Sequence, residues 1–150
     1  DSPGFPLWMI TEMLSFGNLS RMFTGLDTQH RSAISTEYGL PHRIISSWLH
    51  SLVYLRNICA HHARLWNRYF VIAPSCPKAL PENGFWSKRL FSMLLVLKYM
   101  VPESFDWKEF VKDIHILLRK SSFIDISAMG FPRNWKRVLL DNKFKSEKLV

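Results

Sequence analysis

Pro41-His42-Arg43-Ile44-Ile45-Ser46-Ser47-Trp48-Leu49-His50-Ser51-Leu52-Val53-Tyr54-Leu55-Arg56-Asn57-Ile58-Cys59-Ala60-His61-His62-Ala63-Arg64-Leu65-Trp66-Asn67 is the stretch on which the fold turns. At about 100° per residue, Ile45, Trp48, Leu49, Leu52, Leu55, Cys59, Ala63 and Trp66 gather into one apolar stripe. Pro41 suits the first turn of a helix, so the pattern predicts a long helix from Pro41 to about Asn67. Arg56 falls within the stripe, where another Leu is expected. A permanently charged guanidinium there must find an anion, snorkel out, or sit in a cleft or interface. A buried ion pair, for instance with Glu12, and a site for phosphate are both open on position alone. On the other face His50, Tyr54, Asn57, His61 and Arg64 form a polar line at steps of four, three, four and three. Such a line is normally solvated, but solvated faces favour Lys and Glu. Two His, a Tyr and an Asn suggest a surface suited to proton transfer.

Working outward, nearly every segment between breakers reads as helix. Leu7, Ile10, Leu14, Leu19, Met22 and Phe23 recur at helical steps to about Thr24, with Gly17 as a kink or break. A shorter helix is expected from Asp27 or Thr28 to Tyr38, closed by Gly39. Pro74, Pro77 and Pro81 mark a loop from Val71 to Gly84. Ser87 or a neighbour opens a helix through Met100. Ser104 opens the next, carrying Phe105, Trp107, Phe110, Val111, Ile114, Leu117 and Leu118 on one side to Lys120. The last part holds a Gly130-Phe131-Pro132 turn and a short helix around Trp135 to Leu140, and the charged Lys143–Lys148 is expected to fray. The reading is all-α, a helical bundle, with residues 1–150 as a single domain.

Composition narrows the class. The 150 residues suffice for one sizeable core, and 47% hydrophobic against 21% charged residues excludes a disordered chain. Twenty Lys and Arg against twelve acids give a net charge of +8, which attracts polyanions such as nucleic acid or an anionic membrane. Two cysteines, Cys59 in an apolar helical pattern and Cys76 in a Pro-flanked loop, imply no disulfide and fit a reducing, cytoplasmic setting. The most apolar run, Leu90–Met100, is about half the length of a membrane span and is interrupted by Lys98. Asp1-Ser2-Pro3-Gly4 has no character of a secretory leader and no initiating Met, so a fragment or processed product is expected.

Leu55-Arg56-Asn57-Ile58-Cys59-Ala60-His61-His62-Ala63-Arg64-Leu65-Trp66-Asn67-Arg68 closely resembles the signature of the Abi-like (abortive infection) family of bacterial phage-defence proteins. Pro6-Leu7-Trp8-Met9 with Glu12-Met13-Leu14-Ser15-Phe16-Gly17 is similar to that family's preceding helix, and Met129-Gly130-Phe131-Pro132 followed by Trp135 to its closing segment. The likeness covers roughly residues 6 to 136. A lone R-x-x-x-x-H arises often by chance, whereas the fourteen-residue block is specific. The family belongs to the HEPN superfamily, so the resemblance implies a HEPN-like bundle, RNA cleavage without a metal or other cofactor, and a homodimer with a composite active site. It is compatible with a toxin system restrained by a regulatory RNA or an antitoxin partner. Family members usually carry a sizeable region before the part matching Pro6-Leu7-Trp8, so this chain resembles the C-terminal part of a longer protein.

The resemblance assigns Arg56 to transition-state stabilisation, His61 to general acid or base work, and Asn57 to orienting His61 or holding a phosphate oxygen. These residue types suit RNA cleavage by its own 2′-hydroxyl: imidazole exchanges protons near neutral pH, and guanidinium binds the phosphorane through paired hydrogen bonds. On an ideal helix Arg56 and His61 stand about 140° apart, so a shared phosphate needs a long reach, a distorted helix or two copies. His62 either packs against Trp66 or supports the site. The resemblance suggests that Glu12 pairs with the motif arginine or histidine, and His50 and Tyr54 are candidates for lining the site. Arg64, Arg68, Lys136 and Arg137 are candidate RNA contacts.

Three alternatives are distinguishable. A non-catalytic RNA-binding or dimerisation module would use a basic track of Arg64, Arg68, Lys88, Arg89, Arg133, Lys136 and Arg137, with Trp66, Trp86 and Trp135 as stacking platforms. A zinc site would draw on His50, His61 and His62 with Cys59, which diverge around the helix. A membrane-associated protein would need an amphipathic anchor, and no such segment stands out.

Overall fold

The computed structural model describes residues 9, 12, 14–78, 85–120 and 123–141. The expectations at Leu7, Ile10, Pro6-Leu7-Trp8, Met13, Pro81, Gly84 and Lys143–Lys148 lie outside these residues. Among the described residues the secondary structure is entirely helical: α1 (Phe16–Gly25), α2 (Thr28–Thr36), α3 (His42–Ala60), α4 (Leu90–Met100), α5 (Trp107–Arg119), a 3₁₀ turn (Ser127–Met129) and α6 (Trp135–Leu140). This is the all-α bundle the periodicity predicts.

Side-chain caps set where several helices begin. Ser15 accepts from the Asn18 N–H at 3.2 Å, Asp27 from the His30 N–H at 2.9 Å, and Asp106 from the Glu109 N–H at 3.0 Å. The Ser15 cap is why the expected break falls just before Phe16 rather than at Gly17. The Asp106 cap starts α5 after Phe105, which is 42% exposed, and Leu117 also faces solvent. Pro41 is the residue immediately before α3, with extended backbone at φ −59° and ψ 140°, and Gly39 turns the chain into it at φ +62°.

Helix α3 ends earlier than its apolar pattern suggests. Its last helical residue is Ala60, and His61 follows as the C-cap. His62 adopts the left-handed conformation at φ +51°. Its N–H donates to Cys59 O at 3.0 Å, and the Ala63 N–H donates to Ile58 O at 3.0 Å. Together these are the two bonds of a Schellman motif, which satisfies helix-end carbonyls and turns the chain away from the axis. Ala63, Arg64 and Trp66 therefore leave the helical register, and the chain runs irregularly to residue 78.

Helix α3 packs against α1, α2 and α4, while α6 joins α4 and α5. One core cluster gathers Phe23, Leu40, Ile45, Trp48, Leu52 and Val96. Trp48, fully buried, stacks on Trp86 at 5.8 Å and donates its indole N–H to Ser75 O at 2.9 Å. A second cluster joins Phe91 and Leu95 of α4, Val111 of α5, Phe131, and Trp135 and Leu139 of α6. Gly130 sits at φ +82°, and a Cβ there would come within 2.9 Å of the Arg89 Cβ, so this turn requires glycine.

Helix α4 is the shared core element, buried along most of its length. It begins at Leu90 rather than near Ser87, because the Ser92 hydroxyl donates to Phe85 O and accepts from the Ser87 N–H, both at 2.7 Å, fixing the preceding turn. Lys98 is only 3% exposed, and its ammonium donates to Val138 O at 3.2 Å and to Asp141 O at the end of α6. A buried lysine thus caps another helix's terminal carbonyls. Among the described residues no helix is long and apolar enough to cross a membrane.

Candidate functional site

A cavity of about 810 Å³ opens between α1 and α3. Its wall from α1 includes Arg21 and Thr24, and its wall from α3 includes Ser46, His50, Arg56 and Asn57. Among the described residues no carboxylate lines it. The Ser46 hydroxyl is buried without a hydrogen-bond partner among the described residues. Two guanidinium groups, an imidazole, an amide and hydroxyls facing one open cavity form a surface matched to an anion.

The tension over Arg56 resolves by exposure. Its side chain stands at the edge of the apolar stripe rather than inside it and is exposed, as is Asn57. Arg56 Nη1 donates to Asn57 Oδ1 at 3.1 Å. This bond uses one of the five guanidinium N–H groups and orients the fork without neutralising it. Glu12 is helical and exposed, and among the described residues it forms no ion pair with Arg56 or His61.

His61 is exposed at the helix cap, one residue before the left-handed turn, and is not among the residues lining the cavity. Within one chain, therefore, the cavity brings together Arg56, Asn57 and His50, with His61 beyond the end of the same helix. His62 is exposed, and its structural contribution is the backbone turn at the end of α3 rather than a helical i,i+4 contact with Trp66. Tyr54 is half-buried and meets Phe70 edge-on at 6.3 Å, so it belongs to the packing under the loop. Cys59, placed by pattern in the apolar stripe, is exposed because the short helix ends before anything covers it, while Ile58 is buried instead. Cys59 is a free thiol. Among the described residues no three His, Cys, Asp or Glu side chains gather as a metal site requires.

The candidate RNA contacts divide into two places. Arg64 and Arg68 follow His61 on the irregular segment, where Arg64 lies over the Trp66 ring at 5.9 Å and Arg68 donates to Arg64 O. Lys88 and Arg89 join them, both over the Tyr69 ring, at 5.6 and 5.3 Å. Lys136 and Arg137 lie on α6 and line a different cavity. Of the three proposed stacking tryptophans, only Trp66 has an open face, at 41% exposure. Trp86 is covered by Trp48, and Trp135 is core. Sequence reasoning missed Arg21, whose place in the cavity depends on how α1 crosses α3.

The family model for Abi-like proteins matches residues 1–67. The match supports the Abi-like family. The matched segment contains α1, α2 and α3 and the whole Arg56–His61 motif, and it stops before α4. The likeness at Met129–Pro132 and Trp135 lies outside it. No curated protein and no solved structure matches the chain.

Proposed function

We propose that this chain is a single HEPN-like domain that cleaves RNA without a metal ion, acting in abortive infection or a related toxin system. The observation that carries the reading is an exposed Arg56, hydrogen-bonded to Asn57, in a cavity whose described walls hold no carboxylate, with His61 about 1.4 turns further along the chain. An exposed arginine with no acidic partner keeps its charge available for a phosphodiester. The Abi-like match across this motif supports the same assignment.

In the proposed reaction the RNA 2′-oxygen loses its proton and bonds to the adjacent phosphorus. The phosphorus–5′-oxygen bond breaks, and the leaving oxygen takes a proton. His61 serves as the general acid or base, and Arg56 neutralises the phosphorane, with Asn57 orienting it. Products are a 2′,3′-cyclic phosphate and a 5′-hydroxyl. Because His61 is not part of the cavity wall that holds Arg56, a homodimer in which two motifs combine supplies the missing geometry. A cytoplasmic protein restrained by a regulatory RNA or antitoxin fits this chemistry.

The test is incubation of wild type and His61→Ala with single-stranded and structured RNAs in EDTA, followed by end-group analysis. Proton transfer contributes about 10²–10⁴-fold, so His61→Ala should lose that much rate while binding RNA within a few-fold. Arg56→Ala should lose both rate and affinity. Unchanged cleavage by His61→Ala, or activity abolished by EDTA, refutes the mechanism. Full activity of an isolated monomer on dilution refutes the composite site.

A further inference from the structure

Two adjoining cavities, of about 630 and 330 Å³, lie along α5 and α6 and share His115 and Lys136 on their walls. No residue of α1 or α3 lines either one. On α5, Lys108, Lys112, His115 and Arg119 recur at steps of four, three and four, which places them on one helix face. Arg133 and, from α6, Lys136 and Arg137 complete the walls, and among the described residues no acid lines either cavity.

Asp113 of α5 is exposed and is not among the described residues lining either cavity, and two other acids of these segments are already engaged. Glu109 accepts from Lys112 at 2.8 Å, which removes Lys112 from the available charges. Asp125 accepts from the N–H and hydroxyl of Ser127, at 2.9 and 2.6 Å. The nearest partner of Lys136 is another basic group: its ammonium donates to His115 Nε2 at 2.9 Å. Like-charged side chains crowded without counter-charges are arranged for an anion.

From Lys108 to Arg119 the helix rises about 16 Å, a length that spans roughly five phosphates of one strand in a stacked helix. The depth of the groove also matters. Trp135 beneath it is only 5% exposed, with Lys136 over its ring at 5.8 Å, so it offers no open face to stack a base. A concave, basic trough whose tryptophan is closed to stacking grips the backbone rather than reading sequence. Concavity also favours a strand over a bilayer, whose surface is flat on this scale.

We propose that the α5–α6 groove, walled by Lys108, His115, Arg119, Arg133, Lys136 and Arg137, holds the sugar-phosphate strand of single-stranded RNA. It rests on the ribonuclease reading only for the identity of the polyanion, and its test requires no cleavage. The groove gives the chain a second hold on RNA, separate from the Arg56 cavity, and leaves sequence choice to other contacts.

The experiment measures binding of a labelled oligouridylate of about ten nucleotides across a salt series in EDTA, in the His61→Ala background. The added substitutions are Arg119→Gln, Arg133→Gln and Arg137→Gln together. Each lost phosphate contact flattens the log–log salt slope by about 0.7, so the triple variant's slope should fall by about 2. With binding equal near 1 M salt, this is a loss of roughly 100-fold at 0.1 M. Thermal melting checks that the variant folds. In the unsubstituted chain, NMR should show the His115 imidazole gaining its proton at higher pH once the oligonucleotide is bound. This second readout decides the matter if the triple variant does not fold. An unchanged slope in the folded variant, a His115 titration indifferent to RNA, or binding confined to anionic phospholipid vesicles overturns the proposal.

Discussion

The end of α3 offers the most direct test of how the motif is positioned. His62 holds φ at +51° so that the two Schellman hydrogen bonds can form and His61 can stand at the cap. A residue with a Cβ gives up roughly 1–2 kcal/mol in this region. Glycine removes that strain but adds unfolded-state freedom worth about 0.4–1 kcal/mol, so His62→Gly should be neutral or stabilising by about 1 kcal/mol. A β-branched side chain suffers more in the left-handed region, so His62→Val should cost about 1–2 kcal/mol relative to the native histidine. The Gly and Val variants should then differ by about 1–3 kcal/mol, a separation of roughly 2–12 °C in Tm for a domain of this size. Circular dichroism melts read the difference, and denaturant midpoints at equal m-value confirm that it lies in stability. On the proposed mechanism His62→Gly should retain cleavage, whereas His62→Val should lose rate without losing RNA affinity. Equal melting temperatures for the two variants would show that the backbone does not need the left-handed conformation and would refute the account of where the helix ends.

Lys98→Met keeps the aliphatic stem but leaves Val138 O and Asp141 O without the ammonium, so it should cost about 1–3 kcal/mol, or roughly 2–12 °C in Tm. A variant as stable as the parent would mean those carbonyls find other donors. Burial, with repulsion from Lys136 and Arg119, lowers the His115 pKa below its ordinary 6.5. Arg133 and Arg137 of the same groove and Lys112 of the adjoining cavity add to the basic surroundings. The unfolded chain then takes up the proton first, so stability is full above about pH 6.5 and falls as pH drops below it toward the folded-state pKa. His115→Gln should reduce this decline, which melts between about pH 7.5 and pH 5 will show. An identical pH profile for both proteins would contradict it.

Much of this architecture is written in local patterns. Ser15, Asp27 and Asp106 cap helices that their flanking apolar periodicity already announces, and the largely apolar Leu90–Met100 reads correctly as a helix. Ile45, Trp48 and Leu52 mark the buried side of α3 without ambiguity. The other end of that helix was not legible, because an apolar stripe continues through Ala63 and Trp66 while one backbone angle at His62 ends the helical bonding. Histidine is a less common left-handed residue than glycine, so no composition signal marks the turn. The same error misplaced Cys59 and carried Arg64 onto a helix face it does not share. Arg56 and Asn57 were visible as unusual residues, but Arg21 and the α5–α6 groove depend on which helices cross, information that resides in the packing.

The segment after the motif lacks regular structure, and such segments ordinarily accept insertions and proteolytic nicks. Here the Trp48 indole and the Ser47 hydroxyl both fasten Ser75 to α3, while the Phe70 N–H bonds to Lys88 O beside α4. The irregular stretch behaves as a splint strapped at one point to the helix it follows and at another to the segment leading into α4. Peptides grafted between Phe70 and Ser75 would have to break that strapping, and proteases should find this stretch a poor first target despite its want of helix.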